Sequence, residues 1–102
     1  MNNPAYNKIL SLLGLCKKSG NISLGFDACI DAVRQKNSQL ILITKDLSDN
    51  TKQKLLHQVD TNLICPVELS MDDVNAFLGK SCGIISVNNK GFAEKIKSLV
   101  NF

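Results

Sequence analysis

The chain holds one histidine, His57, and no two of its cysteines stand at Cys-x-x-Cys spacing. Zinc knuckles and dithiol redox pairs are thereby excluded, since both need closely spaced thiolates. Cys16, Cys29, Cys65 and Cys82 are scattered along the sequence. They are expected to be reduced, buried thiols holding no metal. A Gly-x-Gly-x-x-Gly run is also lacking. The Gly79-Lys80-Ser81 triplet has Val74 where a phosphate-binding Walker loop needs its first glycine, and it follows a helical pattern instead of opening one. No nucleophile sits at a sharp strand-to-helix turn near His57, and the acids are dispersed, so no catalytic set is assigned and no cofactor is expected. No apolar run approaches the roughly 18 residues of a membrane span, and the start MNNPAYNKIL has no basic leader region. A soluble cytoplasmic protein without membrane contact is predicted.

What is present suits a single packed domain over residues 1–102. The hydrophobic fraction of 44% and charged fraction of 21% are those of a globular chain with a core. A net charge of +3 permits a nucleic-acid partner without demanding one, so the placement of the charges matters more than their sum.

Periodicity sets out the elements. Asn3 is placed to cap a first helix with Pro4 at its first position, and Tyr6, Ile9, Leu10, Leu13 and Cys16 recur on one face. Lys17 and Lys18 fall in its last turn, where cations suit the helix dipole, and Gly20 closes it. NISLG then reads as a short strand. A second helix starts at Gly25 and runs to about Lys36, with Phe26, Cys29, Ile30 and Val33 inward. QLILIT, four consecutive aliphatics, reads as a strand buried on both faces and central in its sheet, and GIISV reads the same way. Ser48 caps a third helix buried through Leu55, Leu56 and Val59. NLICPV is a strand that, lacking an amide donor at Pro66, ends there or lies at an edge. Ser70 and Asp73 have capping-box spacing for a fourth helix, with Val74, Phe77 and Leu78 inward and Gly79 at its end. KGFAEKIKSLV closes the chain as a helix on Phe92, Ile96, Leu99 and Val100. Alternation of helix and strand predicts one three-layer α/β/α domain.

Two loops stand out. CKKSGNISLGFDA brings Lys17 and Lys18 near the start of the second helix, whose first amides are unpaired and carry positive dipole charge. Gly25 there lets a phosphate backbone come close; a plain turn with a solvated lysine pair accounts for the same residues. GKSCG, residues 79–83, offers Lys80 to phosphate and Ser81 and Cys82 to a base or sugar, or is an ordinary turn. If the two loops lie at one end of the sheet, they form a single surface. Phe26 fits the buried stripe of its helix and also stands where a base would lie.

The runs LGLCKKSGNISLGFDACIDAVRQKNSQLILITKDLSDNTKQKL and LGKSCGIISVNNKGFAEKI resemble the ribosomal protein L7Ae/L30e/Gadd45 superfamily, in its bacterial YlxQ-like branch. The likeness spans about residues 9–97. It implies an α/β/α sandwich around a mixed four-stranded sheet and no enzymatic activity. It also implies binding of structured RNA, kink-turn or ribosomal, through the start of the second helix and the loop before the last strand. Those loops hold Lys17, Lys18, Gly25, Phe26, Asp27, Lys80, Ser81 and Cys82. Kink-turn binders carry Gly-x-Asn-Glu and a lysine three residues on; here the positions read Gly25, Phe26, Asp27, Ala28 and Asp31. Alanine has no polar group for a guanine edge, and aspartate offers acceptors only. The expected partner is RNA, with ribosome association, and the expected state a monomer; the alternative is a protein-interaction adaptor on the same fold.

Overall fold

The computed structural model describes residues 4–100. The chain runs α1 (Pro4–Lys18), β1 (Ile22–Leu24), α2 (Phe26–Arg34), β2 (Leu40–Ile43), α3 (Asp49–Gln58), a one-turn 3₁₀ helix (Thr61–Leu63), β3 (Ile64–Pro66), α4 (Met71–Leu78), β4 (Ile84–Val87) and α5 (Lys90–Leu99). The Asn3 cap expected for α1 lies outside the described residues.

The uninterrupted apolar run of β2 explains the layering. Successive strand side chains point to opposite faces. Leu40 and Leu42 pack with α1, α4 and α5 on one side, while Ile41 and Ile43 pack with α2 and α3 on the other. Ile85 and Val87 of β4 join the first layer and Ile84 joins the second. A strand covered on both faces needs no polar positions, which is why β2 shows none; β4 buries one, Ser86, whose hydroxyl hydrogen-bonds with the side chains of Ser38 and Asn88.

The sheet order is β1-β4-β2-β3, so β2 and β4 are central, as their composition predicts. β4 is antiparallel to both β2 and β1, and β2 is parallel to β3, giving a mixed sheet. Pro66 ends the edge strand β3 opposite Ile43. Three of the α-helix starts are capped by side chains. Ser48 accepts from Thr51, Ser70 and Asp73 form a reciprocal capping box, and Asn89 accepts from Phe92. The Asp46 carboxylate also accepts from the Met71 amide at 3.1 and 3.2 Å, tying the loop after β2 to the start of α4.

Two expectations are corrected. Helix α2 ends at Arg34 instead of near Lys36. Lys36 adopts a left-handed φ of 61°, its amide bonds to the Val33 carbonyl at 3.0 Å, and the Asn37 amide reaches Ala32 at 2.9 Å. That is a Schellman closure with lysine in the position glycine usually holds. Phe77 does not face inward but is 54% exposed. Val74 and Leu78, one turn apart, already fill the buried stripe of this two-turn helix, and Phe77 lies about 100° round from Leu78. Among the described residues, no helix is long and apolar enough to cross a membrane.

Candidate nucleic-acid interface

Helix α1 closes on its own Schellman motif. The Gly20 amide bonds to Lys17 at 3.0 Å and the Asn21 amide to Cys16 at 2.9 Å, with Gly20 at φ 77°. This turn sends the chain directly into β1, which ends at Leu24. Gly25 then takes φ 95° and ψ 166°, a backbone region essentially reserved for glycine. Its amide is spent on the Ile84 carbonyl at 2.9 Å and its carbonyl accepts from Cys29 at 3.1 Å. Unlike α3, α4 and α5, helix α2 has no side-chain cap. The amides of Phe26, Asp27 and Ala28 therefore point out of the helix end without an intrahelical partner.

A cation reaches this helix end from across the sequence. Helix α4 ends at Gly79 in the left-handed conformation, φ 77°, which turns the following residues toward β1. The Lys80 ammonium approaches the Leu24 carbonyl at 3.4 Å and lies 3.5 Å from where a Cβ on Gly25 would stand. Positive helix dipole and ammonium thus sit side by side, an arrangement that attracts an anion. Lys17 belongs to the same neighbourhood: its ammonium donates to the Leu78 carbonyl and lies 3.8 Å from the Cβ position of Gly79. Lys17 is therefore pinned as a cap on α4, with N–H groups to spare.

The remaining sequence-predicted residues divide by exposure. Lys18, Asp27 and Ser81 are on the surface. Phe26 is half-buried, packed against the α2–α3 layer of the core. Cys82 is not available to a base or sugar as expected: it is 8% exposed and belongs to the α1–α4–α5 core. Desolvation raises its thiol pKa, against the opposing pull of Lys80 and of the Ile84 and Gly25 backbone. Cys29 lies in the α2–α3 layer on the other side of the sheet, and burial pushes its thiol up to about 12. All four cysteines are buried free thiols. Asp31, which stands where kink-turn binders place lysine, is exposed on the outer face of α2. His57 is exposed on α3, and among the described residues no three histidine, cysteine or acidic side chains gather as metal ligands would.

Sequence reasoning missed Gly83 as a packing position. A Cβ there would stand 2.7 Å from the Leu47 Cδ1, 2.8 Å from the Met71 Cε and 3.1 Å from the Thr44 Oγ1, so a side chain at this end of the 79–83 loop would push the ends of Leu47 and Met71 aside. The paired glycines bracketing the loop were its signal. Exposed Leu15 and Phe77, beside Lys17 and Lys18, were also missed.

A mixed β1-β4-β2-β3 sheet between helical layers, with an uncapped helix start facing a basic loop, defines a class of small α/β/α domains. The chain belongs to the ribosomal protein L7Ae/L30e/S12e/Gadd45 family, whose model matches residues 7–95. It is 27% identical over 101 residues to the RNA-binding protein YlxQ of Enterococcus faecium, covering 98% of each chain. Its identity to the RNA-binding protein YlxQ of Bacillus subtilis (strain 168) is 30% over 95 residues, covering 88% of this chain and 92% of that one. A solved structure of a protein with unknown function from Bacillus halodurans C superposes with a TM-score of 0.78 at 25% identity, over 93% of this chain and 98% of that one. The Giardia lamblia 15.5kD RNA binding protein superposes with a TM-score of 0.71 over 99% of this chain and 88% of its own, at 15% identity, a likeness of fold alone.

Proposed function

We propose that this chain is a non-enzymatic RNA-binding protein that takes structured RNA at the start of α2 and the loop before β4. The observation that carries the reading is the Lys80 ammonium beside the uncapped α2 start, 3.5 Å from the missing Cβ of Gly25. Family membership and the names of the relatives support it. A phosphate settles on the Phe26–Ala28 amides, where Gly25 leaves room for the sugar–phosphate chain. Lys80, Lys18 and the spare N–H groups of Lys17 neutralise neighbouring phosphates, and the Ser81 hydroxyl meets a sugar or base edge. Phe26 presents its outer ring edge to the same RNA.

Asp27 and Ala28 alter what is read. Asp27 accepts hydrogen bonds from exocyclic amino groups, and Ala28 reads nothing, so recognition rests on backbone shape and charge more than on guanine edges. The target in this reading is ribosomal or another folded RNA, bound by a monomer in the cytoplasm. Titration of a kink-turn RNA and an unkinked duplex of equal length tests it. The parent protein binds both with little preference, and Asp27→Asn with Ala28→Glu shifts the preference to the kink-turn. A parent protein that binds neither RNA at low salt contradicts the reading and leaves a protein adaptor in its place.

A further inference from the structure

Among the described residues, Leu15 and Phe77 are the large hydrophobic side chains that stand most in water, each 54% exposed. They are not scattered. Both line one hollow of about 660 Å³ between α1 and α4, together with Ser11, Gly14, Lys17 and Lys18. The floor is open because Gly14 contributes no side chain, and a Cβ there would meet nothing within 4 Å. Its lining holds two ammonium groups, a hydroxyl and an aromatic ring, and no carboxylate.

We propose that this hollow is a stacking site for an unpaired nucleotide of the bound RNA, with the base on Phe77 and its phosphate held by Lys17 and Lys18. The inference rests on the RNA-binding reading above and extends its surface. Every base has a π-face, so an aromatic ring beside cations takes single-stranded nucleotides with little sequence preference. The charge is complementary to a polyanion. The groove between α1 and α5, by contrast, sets Glu94 among its lysines and has no aromatic face. Position adds a second argument. Lys17 bonds to Leu78 and lies 3.8 Å from the Gly79 Cβ position, and Lys80, next in the chain, lies 3.5 Å from that of Gly25. A strand leaving the α2 start therefore crosses Gly79 and arrives at Phe77.

The test is a titration of the isotope-labelled full chain with a short single-stranded oligouridine, followed through its backbone amide resonances. The expected result is shifts at Gly14, Leu15 and Phe77. Phe77→Ala, an exposed change whose folding is checked by resonance dispersion, weakens binding at least about fivefold, while Phe77→Tyr keeps it. Shifts confined to residues 25–29 and 79–83 overturn the hollow and leave the RNA-binding reading standing. Shifts in the hollow that Phe77→Ala does not weaken overturn the stacking role. No shift with oligouridine or with a kink-turn RNA overturns both readings.

Discussion

Replacing glycine by alanine at two positions of this chain should move stability in opposite directions. At Gly25, φ 95° and ψ 166° place the residue where an L side chain costs about 1–3 kcal/mol. Part of this is offset, because alanine narrows the unfolded ensemble and so favours folding by about 0.4–1 kcal/mol. The net expectation for Gly25→Ala is a loss of up to about 2.6 kcal/mol, centred on roughly 1.3 kcal/mol. The new methyl, 3.5 Å from the Lys80 ammonium, also presses on the cation beside the α2 start. Gly14 sits inside α1, and a Cβ there meets nothing within 4 Å. Gly14→Ala should therefore stabilise by about 0.5–1 kcal/mol, the helix preference of alanine over glycine. Urea unfolding with linear extrapolation reads both, and thermal midpoints should move by about 4–8 °C per kcal/mol in a domain of this size. Two changes of the same sign would refute the backbone assignment on which the RNA site depends.

Further expectations concern the core and the thiols. Ile85→Ala, at a fully buried position in a central strand, should lower stability by about 2–5 kcal/mol, whereas Leu15→Ala, largely exposed, should stay within about 0.5 kcal/mol; equal denaturation midpoints for the two would contradict the sheet order. Burial raises the pKa of Cys16, Cys29, Cys65 and Cys82 above the ordinary 9.0, for Cys29 to about 12. The folded chain then keeps protons that the unfolded chain releases above pH 9, so the stabilisation is complete below that pH and is lost as pH climbs toward 12. Urea midpoints at pH 7.5 and pH 10 should show the decline, and Cys29→Ala should flatten it; a midpoint that does not fall would show that the thiols are not desolvated.

The parts of this fold legible in sequence are those whose cause is local. Leu40–Ile43 reads as a central strand because burial on both faces leaves four aliphatics in a row. The capping box of Ser70 and Asp73 reads directly, since both partners lie within one turn. Phe77 misleads because periodicity allows a wide apolar stripe, while the α1 and sheet contacts of α4 are satisfied by Val74 and Leu78 alone. Cys82 misleads for the opposite reason: glycines nearby suggest an open loop, yet the chain turns inward two residues before β4 and takes the thiol with it. The site itself depends on distant pairs. Lys80 meets the Leu24 carbonyl across 56 positions and Lys17 meets Leu78 across 61. The sequence names these lysines as candidates, but only the sheet order, which sets β1 beside β4, brings them together.

The salt dependence of RNA affinity tests the account most directly. Bound phosphate releases counterions, so the slope of log affinity against log salt counts the phosphates that the protein neutralises. The measurement is a titration of one structured RNA across a salt series with the parent protein, Lys18→Ala and Lys80→Ala, each checked for folding by circular dichroism. The account predicts a steep slope for the parent, reduced by about one unit in each variant, with weaker binding at every salt concentration. Variants that match the parent in both slope and affinity would contradict it, and the Gly25–Lys80 surface would then be a turn and nothing more.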